Sequence, residues 1–265
     1  MSDWMVWKAG RRVSLVVAVA SAVVLGMAFP DAALAGKGGD KSKGKSGGLS
    51  AGLDGGYLGV GGGFFTENSR REGEETRQVS TDDQSYDYTS DDFFNGNIWY
   101  LTTLGNRVRA GAGLEYIGGY EAMRKPEEDE EADDIQPYEF GHLTNLYLRA
   151  EWLVPFMDDK QIVVGAQGGF STLFPDGDFR QEIDDMKDQN ISVFGGPRFG
   201  LDLAPLVGAR WQIQKAFALR LDFSLHWQRL FLFNVSDTVE GVNFERTWTA
   251  KVLRYNLGLG IEVDL

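Results

Sequence analysis

Between Arg198 and Asn234 apolar and polar residues alternate with period two. Phe217, Leu219, Leu221, Phe223, Leu225, Trp227, Phe231 and Phe233 share one parity; Ala218, Arg220, Asp222, Ser224, His226 and Gln228 share the other. The run before it behaves alike, with Phe199, Leu201, Leu203, Pro205, Val207, Ala209, Trp211 and Ile213 set against Arg198, Gly200, Asp202, Ala204, Gly208, Arg210 and Gln212. Period two marks strands, and no helical face fits it. These strands are about twice the usual ~5–6 residues of a globular strand. One face is continuously apolar and the other carries charges and glycines. That pattern suits a wall with lipid outside and a polar interior, for which ~9–11 tilted residues span the bilayer.

The same pattern predicts eight strands. The first covers 56–67, with Leu58, Val60, Gly62 and Phe64 on one face and Gly59, Gly61 and Gly63 on the other. Residues 68–92 are too charged and too aperiodic for a strand and are expected to form a long loop. A strand over 94–104 then turns at Gly105-Asn106 into a third over 107–122. In that third strand Val108, Ala110, Ala112, Leu114, Tyr116 and Tyr120 oppose Arg107, Arg109, Gly111, Gly113, Glu115 and Glu121. After a polar stretch at 123–138 come strands over 139–156 and 161–174, joined by a short turn. The connection 175–197 follows, then the opening pair, joined near Gln214-Lys215. A fourth connection at 235–245 leads to the last strand. Long and short connections alternate, as in an up-and-down transmembrane barrel. Trp152 and Trp211 near the turns, and Trp227, Phe231, Phe233 and Trp248 near the loops, are expected to form two interfacial girdles.

Composition narrows the setting. The chain has 265 residues, a formal charge of -13 and no cysteine, and a mean hydropathy of -0.26, which excludes a polytopic helical membrane protein. Lys8, Arg11 and Arg12 precede an apolar run from Val13 to Ala28, followed by Ala33-Leu34-Ala35. This is the pattern of a secretory signal peptide cleaved after Ala35. Residues 36–54, rich in Gly, Lys and Ser, read as a flexible leader, and 55–265 as the barrel. Without cysteine there is neither a lipoprotein attachment site nor a disulfide framework. Net acidity argues against nucleic acid.

In the last strand Tyr255, Leu257, Leu259, Ile261, Val263 and Leu265 alternate to the terminal carboxylate, interleaved with Asn256, Gly258, Gly260, Glu262 and Asp264. This resembles the C-terminal signal of bacterial outer-membrane proteins. The order of elements from about residue 55 onward resembles the small barrels of the OmpA/OmpX-like superfamily. The resemblance implies a Gram-negative outer-membrane location and recognition of the last strand by the barrel-assembly machinery. It also implies contact with outer-membrane lipid and lipopolysaccharide. A monomer with no further periplasmic domain is expected.

The parity rule places charges inside, among them Arg149, Glu151, Arg198, Asp202, Arg220, Asp222, Arg254 and Glu262. Eight strands leave an interior just wide enough for side chains to fill, and charges buried there must pair. A salt-bridged plug is therefore expected, and diffusive porin activity is disfavoured. Asp222, Ser224 and His226 share one face at spacings of two, which raises a hydrolase triad. Same-face neighbours lie about 7 Å apart along a strand, a poor separation for direct hydrogen bonds, so no catalytic residue is assigned. The acidic run Glu127, Glu128, Asp129, Glu130, Glu131, Asp133 and Asp134 has oxygen ligands for Ca²⁺ or Mg²⁺ but no EF-hand spacing, so no metal or cofactor is assigned. Phe179, Ile183 and Met186 recur at helical spacing and predict an amphipathic helix over 178–189 at the barrel mouth. Three functions follow: a structural or surface-interaction barrel, a binding or transport barrel for a small hydrophobic molecule, and a lipid A-modifying hydrolase. The first is favoured.

Overall fold

The computed structural model describes residues 56–78, 80–104, 107–126, 135–239 and 241–265, without the side chains of residues 91–93. The expected signal peptide, leader, Gly105-Asn106 turn and Glu127–Asp134 acidic run lie outside these. The described residues form eight strands: β1 Gly56–Arg77, β2 Ser80–Thr103, β3 Val108–Arg124, β4 Pro137–Met157, β5 Lys160–Pro175, β6 Arg198–Gln214, β7 Phe217–Val239 and β8 Val242–Asp264. One helix, α1, Gly177–Asp188, lies between β5 and β6. Each strand pairs antiparallel with its sequence neighbour, and β1 pairs with β8 from Tyr57↔Asp264 to Arg77↔Phe244, closing the ring. Closure leaves no sheet edge within the ring itself.

The wall is apolar outside and polar inside over most of its height. Phe64, Leu146, Leu148, Phe170, Leu201, Leu203, Leu257 and Leu259 are more than half exposed. Arg109, Glu115, Arg220, Arg254 and Glu262 are buried. That is the reverse of a water-soluble barrel. Inward glycines admit the larger luminal groups. A Cβ on Gly59 would lie 2.0 Å from the Trp99 ring, and one on Gly260 2.5 Å from it, so both positions must be bare for Trp99 to fold into the lumen.

Two predicted loops are strand instead. Residues 68–77 and 80–90 form the outer arm of a β1–β2 hairpin, paired from Glu67↔Ser90 to Arg77↔Ser80. Residues 235–239 and 242–245 continue β7 and β8 as far as the Val239↔Val242 pair. An apolar face was required of every strand, but here the outer face carries charges such as Arg70 and Asp87, both half exposed. Backbone pairing, not an outward apolar row, holds these arms together.

The interior at this end is apolar. Phe65, Tyr88, Ile117, Tyr120, Phe140, Leu232, Phe233, Phe244 and Trp248 pack into a core that α1 closes with Phe179, Ile183 and Met186. Three of these residues were expected to face outward. A register shift between Phe231 and Phe233 turns Phe233 inward, and shifts around Tyr120 do the same to that ring. A bulge inserts one unpaired residue and so reverses the alternation beyond it. Trp248, placed in the outer girdle from the sequence, is buried and stacks on Tyr86 with ring centroids 5.9 Å apart. Trp152, Trp211 and Trp227 are about half exposed on the outer face.

Candidate functional site in the barrel lumen

The lumen toward the chain termini holds an ionic network drawn from β2, β3, β4, β6, β7 and β8. Glu151 accepts from Arg109 Nε at 2.7 Å, Arg220 Nη2 at 2.5 Å and Arg149 Nε at 3.2 Å. Glu262 accepts from Arg210 Nε at 2.7 Å, Arg220 Nη1 at 2.5 Å, Arg109 Nη1 at 3.1 Å and Trp99 Nε1 at 3.3 Å. Asp222 takes Arg220 Nε and Arg149 Nη2, each at 2.8 Å. Four arginines thus share three carboxylates. Tyr57 lies under Arg109 and Arg210, its ring centroid 4.7 and 5.6 Å from the two guanidinium carbons. Guanidinium groups suit this arrangement because their fixed fork of donors bridges several acceptors at once. On the terminal side the network faces a basin of about 330 Å³ lined by Arg107, Lys215 and Asp264 among others.

Above it lies a second polar layer. His226 Nδ1 is 2.9 Å from Asp202 Oδ2, and its Nε2 is 3.0 Å from Ser224 Oγ. With the Nδ1 proton directed to Asp202, Nε2 accepts from the Ser224 hydroxyl, which is the connectivity of a hydrolytic triad. Arg254 Nη2 donates to Glu115 at 2.9 Å and stands 3.4 Å from His226 Nδ1. Glu115 also accepts from Asn145 at 2.5 Å and from Asn95. Gln228 bridges Asn145 and Ser171. Tyr120 donates to Glu67 at the upper edge.

Of the luminal charges expected from the sequence, Arg149, Glu151, Arg220, Asp222 and Glu262 meet in the lower network, and Asp202 and Arg254 in the upper layer. Arg198 joins neither. It is buried, but its guanidinium donates to the carbonyls of Phe194 and Gly196 and lies over the Phe179 and Phe233 rings. The triad carboxylate is Asp202 of β6, not Asp222, which the arginines hold. Asp202 pairs across the sheet with Gln228, one diagonal step from His226, a proximity that spacing along β7 could not reveal. Nor does the 7 Å strand repeat keep Ser224 from His226, because the imidazole extends back along the strand.

The space beside Ser224 decides what this arrangement can do. It is about 30 Å³, walled by Trp99, Tyr147, Arg149 and Asn256 among others. That is room for a water or two, not for an acyl group. His226 is fully buried, and Ser224 nearly so.

At the outer end Glu182 of α1 binds Arg71 Nη2 at 2.6 Å, accepts from Tyr138 Oη at 2.5 Å and pairs with Arg246. Burial pushes its carboxyl up, but Arg71 above all, with Arg246 and Tyr138, outweighs burial and holds it below the ordinary value. Asp176 caps the helix by accepting from the Gly177 N–H at 3.0 Å. His142 receives Tyr116 Oη at 3.1 Å and the Gly119 N–H at 3.3 Å on Nδ1.

No protein-family model matches the sequence, and no curated protein matches it. Solved structures similar in fold include the outer-membrane protease OmpT from Escherichia coli: 7% identity, 83% of this chain and 99% of that one covered, TM-score 0.45. The outer membrane protein OprG from Pseudomonas aeruginosa gives 12%, 78% and 95%, and 0.43. The outer membrane protein AlkL gives 13%, 86% and 96%, and 0.40. Likeness at this level leaves function to be argued from this chain's own residues.

Proposed function

We propose that the chain is a monomeric outer-membrane β-barrel with a plugged lumen, acting structurally or through its outer surfaces. Its belt of outward Leu, Phe, Val and Ile is stable in hydrocarbon and costly in water. The observation that carries the reading is double closure of the interior: four arginines locked onto three carboxylates at one end, and an apolar core under α1 at the other. A diffusive solute has no continuous path through such a filling. The assembly machinery would read the β8 strand, and lipid and lipopolysaccharide would contact the belt and its rims.

Two measurements test this. Fractionation should find the chain in the outer membrane, and recovery from the soluble periplasm would defeat the reading. The purified chain in planar bilayers should give no conductance steps, and steady ion currents would defeat the plug. Transport of a small hydrophobic molecule would need an opening beneath α1, where Phe179, Ile183 and Met186 are buried. A lipid A hydrolase would need an acyl chain beside Ser224, where the space is no larger than a water or two.

A further inference from the structure

The outer wall carries a row of three cations that the plugged-barrel reading does not use. Arg229 of β7 stands directly opposite Lys251 of β8, and Lys251 stands directly opposite Arg70 of β1. Like charges placed opposite one another across strands destabilise a sheet, so the row calls for counter-charge. Lys251 has Glu72, and Arg70 has Asp87 at 3.4 Å, with both residues of that second pair half exposed. Arg229 makes no close ion pair among the described residues and feels Glu72 only from a distance; its guanidinium lies 5.7 Å from the Phe231 ring.

The height of the row is informative. Arg229 lies two residues beyond the outward Trp227, on the side of the long β7–β8 arms, where the apolar belt gives way to charge. Beside it a groove of about 740 Å³ runs along the outer surface of β5, β6 and β7, with Leu201 directly opposite Arg229. Phe170, Leu201, Leu203 and Trp227 line it, each about half exposed or more, and Arg229 and Lys251 stand at its outer end. An apolar trough ending in two cations is complementary to an acyl chain ending in an anionic head. Arg229 can bind a phosphate through two parallel N–H bonds, and Lys251 adds a point charge.

We infer that Arg229 and Lys251, with the groove beside them, form a binding site on the outer wall for one phosphorylated, acylated glycolipid of the outer leaflet: the lipid A part of lipopolysaccharide. The inference rests on the outer-membrane reading, with the long arms outside as outer-membrane barrels are built. In it, phosphate supplies the close counter-charge that Arg229 lacks, and one acyl chain lies along Leu201 and Leu203. The chain's overall negative charge makes this the local exception that an anionic lipid could find.

The test uses the full mature chain, refolded in neutral detergent, and titrates bisphosphorylated lipid A, the same lipid dephosphorylated, and phosphatidylglycerol. Bisphosphorylated lipid A should bind at least tenfold more tightly than either of the others. The double variant Arg229→Gln/Lys251→Gln should lose that preference while keeping the heat-modifiable gel mobility of the folded barrel. Lys160→Ala, at the opposite rim, should retain it. Leu203→Trp, which fills the groove, should weaken lipid A binding with both cations in place. Should a variant fail to fold, the unaltered chain decides: its lipid A affinity should fall as salt rises, while dephosphorylated lipid binding stays level. Equal binding of all three lipids, or undiminished preference in the double variant, would overturn the site. Phosphatidylglycerol binding as tightly as lipid A would overturn the glycolipid assignment. Fractionation of the double variant separates the two levels. Correct outer-membrane location with lost lipid preference supports both, whereas absence of even the unaltered chain from that membrane removes the reading beneath.

Discussion

Arg220 on β7 reaches across the lumen to Glu151 on β4, placing Nη2 2.5 Å from Oε2 while its Nη1 holds Glu262 of β8 at the same distance. The side chain is 1 % exposed. One guanidinium thereby ties the neighbouring strands β7 and β8 to β4 on the far side of the lumen.

Removing one partner of such a group leaves buried charge uncompensated. Arg220→Ala should destabilise the barrel by ~3–5 kcal/mol, whereas replacing partners together with apolar residues of similar volume should cost far less. Denaturant unfolding in micelles, followed by gel mobility, would measure both. A single variant as stable as the parent would show that the network is dispensable.

The face assignment can be read by labelling. Single cysteines replacing Leu221, Phe223 and Leu225 should be quenched by acyl-chain probes, and those replacing Asp222 and Ser224 should not. Phe223→Arg should cost ~2–4 kcal/mol near the midplane. Equal quenching of both parities would contradict the wall described above.

Docking of α1 should depend on acid. Because its partners hold the Glu182 carboxyl below the ordinary value, the pair adds stability at pH above the unbound carboxylate pKa of ~4.3. That contribution falls away as pH drops through the lowered bound value. Hydrogen exchange of residues 177–188 should therefore accelerate below about pH 4. Glu182→Gln should exchange faster at neutral pH and show a weaker acid transition. An acid transition unchanged by Glu182→Gln would place the titrating group elsewhere.

The Ser224–His226–Asp202 arrangement should behave as structure. A fluorophosphonate probe should leave Ser224 unlabelled in the folded barrel, and Ser224→Ala should leave lipid A acylation unchanged. Asp202→Ala should cost ~1–3 kcal/mol because it strips a buried imidazole of its acceptor. Labelling of Ser224 would reopen the hydrolase reading.

The alternation in β6 and β7 was enough to separate outward from lumen-side residues over the belt, because side-chain direction follows the pleat by geometry alone. The charges on the inner parity, and the requirement that they pair in a narrow interior, were legible for the same reason. Phe179, Ile183 and Met186 showed a helix by their spacing, since a local period needs no knowledge of the partner surface.

Tertiary structure decided what depends on register between strands. Asp202 reaches His226 because β6 and β7 pair Asp202 with Gln228; along the chain, Asp222 looked the nearer carboxylate. Phe233 and Tyr120 turn inward at bulges, which leave no compositional mark. The arms at 68–77, 80–90, 235–239 and 242–245 carry polar residues on their outer faces, and their pairing energy lies in backbone hydrogen bonds common to every sequence. Period and parity are properties of one strand, whereas register, bulges and cross-lumen contacts belong to the closed ring and exist only when all eight strands are in place.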